Sequence, residues 1–78
     1  MEIYTVGYLR HNKSTGGLAY KSELATSDRD EAKEKYYKLQ GEYFRNPTFD
    51  FAEVYIIDGY GNVILHDTWD EKKEAVAE

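Results

Sequence analysis

Only one stretch of this 78-residue chain reads as a helix, and it sits between two pairs of strand-like runs. Residues 28–45 run DRDEAKEKYYKLQGEYFR. At 3.6 residues per turn, Ala32, Tyr36, Leu39 and Tyr43 fall within an arc of roughly 60°, the stripe a helix buries. Ser27 precedes the run with Asp30 three residues on, a capping-box pattern with Asp in place of Glu. Asp28, Asp30 and Glu31 put negative charge at the end where the helix dipole favours it. Glu31–Lys35 and Glu34–Lys38 are i,i+4 pairs in the better orientation. Gly41 weakens the last turns, and Asn46-Pro47 ends the helix, because a residue before proline avoids the α region.

The flanking segments are EIYTVGYLR, LAYKSELAT, FDFAEVYII and NVILHDTW, rich in β-branched and aromatic residues. They place strands at about 2–10, 18–26, 49–57 and 62–69. HNKSTGG separates the first two and ends in Gly16-Gly17, which accept positive φ. The tail, DEKKEAVAE, reads as a short helical turn or frayed end. The order is ββαββ over one domain, 1–78. The fold class is α+β, with two layers: a four-stranded, mostly antiparallel sheet and one helix packed on one face. Whether strands two and three are neighbours stays open.

One helix covers one face of a sheet, yet strict alternation puts apolar side chains on both faces of three strands. The first strand divides into Tyr4, Val6, Tyr8 and Ile3, Thr5, Gly7, Leu9. The third divides into Phe49, Phe51, Tyr55, Ile57 and Ala52, Val54, Ile56. The fourth divides into Val63, Leu65, Trp69 and Ile64, His66, Thr68. In the second, Leu18, Tyr20, Ser22 and Leu24 share a face. If the helix takes the aliphatic sets, Tyr4, Tyr8, Phe51 and Tyr55 stay outside, with Tyr20 beside them. If it takes the aromatic sets, Ile3, Leu9, Val54, Ile56 and Ile64 stay outside. A bulge at Gly7 would swap the parity of one strand and reduce the excess.

The run Asp58-Gly59-Tyr60-Gly61-Asn62 shares Gly-Tyr-Gly with the third strand of an RNA-recognition sheet. Asp58 stands where that motif is basic, Asn62 and Leu65 replace its stacking aromatics, and too little chain follows for the remaining elements. A calcium loop needs D-x-[DN]-x-[DN]-G with a distal Glu, which is absent, and no helix opens after Gly61 to make a phosphate loop. The run therefore reads as a hairpin turn with Tyr60 at its tip.

Nothing here composes a catalytic site. There is no cysteine, so there is no thiol nucleophile, disulfide framework or thiolate metal site. Ser14, Ser22 and Ser27 lack a glycine elbow. His66 and Asp67 are adjacent, so on a strand they point to opposite faces. The expectation is no enzyme, no catalytic residue, no metal and no cofactor. The start carries no basic, apolar leader and no run is long enough to span a bilayer, so the chain is expected to be cytoplasmic and off the membrane.

Net charge is −5 and it is unevenly spread. Residues 1–45 hold eight Lys/Arg against seven Asp/Glu, a net +1; residues 46–78 hold two against eight, a net −6. Acid disfavours direct nucleic-acid binding and keeps a small domain soluble. It also suits a basic partner surface. In size, charge, lack of cysteine and strand order the whole chain resembles the small acidic phage-encoded inhibitors of bacterial immunity, the anti-CRISPR proteins. That resemblance implies a non-enzymatic protein-binding module that occupies a nucleic-acid or effector surface of a host protein. In such a protein Asp58, Asp67, Asp70 and Glu71 would stand in for phosphates, and Tyr55, Tyr60 and Trp69 would anchor. The alternatives are a structural homodimer, and a small-ligand or RNA binder that stacks on the sheet tyrosines.

Overall fold

The helix starts at Asp28, whose Oδ1 accepts hydrogen bonds from the backbone N–H of Asp30 (2.9 Å) and Glu31 (3.3 Å). The computed structural model describes residues 2–72. They form β1 (Tyr4–Asn12), β2 (Leu18–Thr26), α1 (Arg29–Tyr43), β3 (Phe49–Asp58) and β4 (Val63–Asp70), the expected ββαββ. The cap is one residue later than expected: Asp28, not Ser27, satisfies the first free amides, because its carboxylate reaches two of them at once. At the other end Phe44 N–H donates to Gln40 O, and Arg45 takes φ 59°. The Asn46 side chain donates to Glu42 O, so the carbonyls freed by the proline stop are partly satisfied. Glu71 and Lys72 turn helical after β4, and the rest of the expected tail lies outside the described residues.

All three strand pairings are antiparallel and the order is β2-β1-β3-β4. Strands β2 and β3 are therefore not neighbours: α1 carries the chain from one edge, over β1, to the far side. The central strands β1 and β3 hold most of the buried sheet residues, and the edges β2 and β4 are mostly exposed.

Three bulges interrupt the ladders, and each brings one large apolar side chain onto the helix. In β2 Ser22 pairs with Gly7 and Leu24 with Val6, leaving Glu23 extra. Leu24 thereby leaves the face of Leu18 and Tyr20 and joins the core. In β3 Asp50 is extra, since His11 pairs with Phe51 and Asn12 with Phe49. Phe49 thus moves to the helix side, edge-on to Tyr43 at 5.7 Å, while Phe51 stays on the other. In β4 Ile64 is extra and packs with Leu65 against the core, while Val63 faces Ile57. Strict alternation had put Leu24 with Tyr20, Phe49 with Phe51, and Ile64 with His66. A bulge corrects each, because one added residue reverses the parity beyond it.

The helix covers neither a purely aromatic nor a purely aliphatic set. Tyr4, Val6 and Tyr8 of β1 and Val54 and Ile56 of β3 meet Ala32, Tyr36 and Leu39 in the main core. A second cluster, Phe49, Ala52 and Trp69, continues it, and Tyr43 and Phe44 pack against both. Arg10 closes that end, its guanidinium 5.0–5.3 Å from the rings of Tyr8, Tyr43 and Phe49. Such contacts contribute on the order of 1 kcal/mol each when partly desolvated. No helix among the described residues is long and apolar enough to cross a membrane.

Candidate functional site

The sheet face away from α1 carries three of the exposed large apolar side chains of the described residues, Leu18 and Tyr20 together on β2 and Val63 on β4. Its residues stand in four cross-strand rows, read from β2 to β4. The first is Leu18, His11, Phe51, Asp70; the second is Tyr20, Leu9, Glu53, Thr68. The third is Ser22, Gly7, Tyr55, His66, and the fourth is Ala25, Thr5, Ile57, Val63. Leu18 is 66% exposed, Tyr20 67% and Val63 59%. Leu9, Phe51 and Ile57 between them are half-buried. Other exposed aromatics, Tyr37 on α1 and Tyr60 on the β3–β4 turn, stand on separate surfaces.

Tyr55 shapes the centre of this face. Its ring lies across Gly7 toward β2. A Cβ at position 7 would meet the Tyr55 hydroxyl, with ring Cζ and the Lys21 carbonyl oxygen each 2.7 Å away. The missing side chain of Gly7 is thus the slot the phenol occupies. The Tyr20 ring stacks on Tyr55 at 6.3 Å and 17°. Tyr55 is only 7% exposed, and its hydroxyl is buried without a hydrogen bond. Burial, then the nearby Tyr20 hydroxyl, pushes its pKa up to about 12.

Polar groups occupy the β4 side. His66 Nε2 donates to Glu53 Oε2 (2.9 Å), and Thr68 Oγ1 lies 3.4 Å from the same oxygen. His11 Nδ1 donates to Asp50 Oδ1 (2.6 Å). Both histidines of the chain are thus tied to carboxylates along this face. At one end His11, Leu18, Asp50, Phe51, Asp70 and Lys72 surround an open depression of about 340 Å³. Among the described residues no group of three His, Asp or Glu is placed to hold a metal ion.

The seven residues expected to bind a partner do not share one surface. Tyr55 lies flat in the uncovered face, while Trp69 is 8% exposed in the core beneath the helix. Tyr60 is 85% exposed at the turn. The Asp58 carboxylate is spent within that turn, accepting from the N–H of Tyr60 and Asn62 (both 2.9 Å) and from Asn62 Nδ2 (3.3 Å). Asn62 N–H, the largest influence, holds its pKa below 3.8; burial opposes it, and Tyr60 N–H adds to the lowering. Asp67 faces the helix side, where Gln40 Nε2 donates to it (3.4 Å). Asp70 accepts from Lys72 N–H, and Glu71 pairs with Lys13 Nζ at 3.0 Å. At ~3.3 Å per residue, the eight residues of β4 hold Asp70 about 25 Å from the turn.

Leu18, Tyr20 and Val63 are the surface residues that strict alternation did not single out as a set. Gly7, a glycine inside a strand, was their one sequence signal. No family model, curated protein or solved structure matches the chain.

Proposed function

We propose that this chain is a non-enzymatic protein-binding module that docks through the uncovered face of its sheet. The observation that carries the reading is the pairing of Leu18 and Tyr20 on β2, about two-thirds exposed, beside a Tyr55 already locked in place. Scattered apolar residues on a surface need no explanation, but a contiguous apolar patch marks an interaction site. Tyr20 suits an anchor: it offers a large area and loses only two side-chain torsions on burial. His66, Thr68 and Asp70 on the edge strand β4 supply the polar edge that docking surfaces have.

The experiment compares Tyr20→Asp and Leu18→Asp with Tyr37→Asp, an exposed tyrosine on the helix. Complex formation by the chain in a native extract is lost in the first two and kept in the third. Loss only in Tyr37→Asp contradicts the reading.

A second reading keeps the inhibitor class that the chain resembles. The exposed Asp67 and half-buried Asp70 on the outer strand β4 favour it, with the acidic excess of residues 46–78. In that reading they meet a nucleic-acid-binding surface of a host protein in place of phosphate. Asp67→Asn with Asp70→Asn then abolishes capture, while Tyr20→Asp leaves it intact.

A further inference from the structure

Among the described residues one buried side-chain polar atom has no hydrogen bond, the Tyr55 hydroxyl. Leaving it so costs stability. We infer that the outer edge of β2 receives an extended strand of a partner protein, and that an Arg or Lys of that strand lies across Ser22 and Gly7 to hydrogen-bond the Tyr55 hydroxyl. This rests on the reading of the uncovered face as a docking surface.

Strand β2 is at the edge of the sheet, so the backbone groups along its outer side have no strand beside them. Such a row recognises another extended backbone, and the side chains alternating beside it decide which one. The two edges of the sheet differ. Beyond its bulge β4 carries His66, Asp67 and Asp70, side chains of the kind that keep an edge unpaired. Before its own bulge β2 runs Leu18-Ala19-Tyr20-Lys21-Ser22, with Lys21 as its one charge. Leu18 and Tyr20 stand two-thirds exposed beside that run.

The third cross-strand row gives the occupant its chemistry. Read inward from the edge it is Ser22, Gly7, Tyr55. Ser22 and Gly7 leave the surface low, and the phenol ends over Gly7, on the site a Cβ would take. A strand added outside β2 lies two strand spacings, ~10 Å, from Gly7. A hydrogen bond covers ~2.9 Å of that, and the side chain spans the rest. Lys and Arg reach so far; Asp, Asn, Glu and Gln do not. Charge agrees with reach. The four rows hold the carboxylates of Glu53 and Asp70 and no Lys or Arg. The whole chain carries −5, so a basic strand is attracted and a second copy repelled. Tyr20, exposed on the edge strand and stacked on Tyr55, is free to turn aside on the fast timescale of surface side chains. Its turning opens the way to the hydroxyl, and its ring offers the incoming cation an aromatic face.

The probe is a displayed set of random nine-residue peptides, the length of β2, selected on the unmodified chain at physiological salt. The expected peptides carry Arg or Lys at one fixed position and apolar residues two places to either side, beside Tyr20 and Ala25. A synthesised member slows amide exchange along β2 and leaves β4 unchanged. Tyr55→Phe weakens its binding about tenfold or more, the loss of a hydrogen bond to a charged group, without lowering the unfolding midpoint of the chain. Norleucine in place of the peptide's Arg or Lys also weakens binding, and the two changes together cost less than their sum. Equal affinity for Tyr55→Phe, independent effects of the two changes, or protection along β4 overturns the inference. A chain that selects no peptide and dimerises in sedimentation equilibrium puts a second copy on the edge, and overturns it too. If no peptide pairs with β2 but Tyr20→Asp still abolishes capture in a native extract, the added strand is excluded and the docking face stands. If Tyr20→Asp changes neither peptide binding nor capture, both readings fall.

Discussion

Tyr55 fills the space that Gly7 leaves empty, and through that contact a residue of β3 reaches across β1 to stack on Tyr20 of β2. The relationship ties three strands together on the face the helix does not cover. It also explains why a glycine, ordinarily a weak strand residue, stands in the middle of a central strand.

A methyl group at Gly7 has no room, so Gly7→Ala destabilises the fold by about 1–3 kcal/mol, the usual cost of overpacking. Tyr55→Ala in the same chain recovers part of that loss, because one of the two obstructing groups is gone; the Lys21 carbonyl remains. Urea unfolding of the two single variants and the double variant measures the coupling. Additive effects would mean the ring does not occupy the slot.

The Tyr55 hydroxyl is buried without a partner. Removing it relieves a desolvation penalty with no hydrogen bond to lose. Tyr55→Phe therefore raises stability by about 1 kcal/mol. A drop of similar size in the denaturation midpoint contradicts the orphaned hydroxyl.

Alkali exposes the same design. Tyr55 and Tyr43 each ionise at about 12, both chiefly because of burial, and Tyr4 and Tyr36 are also raised above 10.0. In the unfolded chain these phenols lose their protons near 10. The folded state holds them more tightly, so its advantage is complete below pH 10 and is lost as pH climbs toward 12. Phenolate absorbance followed alongside far-ultraviolet circular dichroism shows a late tyrosine step that coincides with unfolding. Full ionisation near pH 10 with the fold intact contradicts it.

The β3–β4 turn has the opposite sign. Asp58 is held below 3.8 by amides that donate to its charged form. Its contribution is present above that value and disappears as pH falls through the folded-state pKa. Asp58→Ala speeds amide exchange at Tyr60 and Asn62 at neutral pH and flattens the acid-side dependence of stability. Unchanged exchange at those two amides would show that the carboxylate does not organise the turn.

The element order, the antiparallel hairpins, the helical stripe and the turn at Asp58 were legible because periodicity and turn chemistry are local. The β1–β3 pairing was not, since it joins residues 37 to 54 positions apart. The three bulges were hidden for a different reason. Glu23, Asp50 and Ile64 each look like the next residue of an alternating run, and only the partner strand reveals them as extra. That is why strict alternation puts Leu24, Phe49 and Ile64 on the wrong face, and Val63 on the wrong one in the opposite sense, so that only the bulges of β2 and β3 remove apolar residues from the open face. Ser27 and Asp28 are adjacent, both able to cap, and local sequence does not choose between them. Trp69 reads as a surface anchor by residue type, yet Ala52 directly opposite leaves space for it in the core.

Three exposed tyrosines stand on three different surfaces: Tyr20 on the uncovered sheet face, Tyr37 on the helix and Tyr60 on the turn. Tyrosine-specific labelling, read by mass spectrometry on the dilute isolated chain and on the chain assembled in a native extract, tests the docking face most directly. Assembly is expected to shield Tyr20 while Tyr37 and Tyr60 remain as reactive as before. Shielding of Tyr37 or Tyr60 with Tyr20 still freely labelled would contradict it.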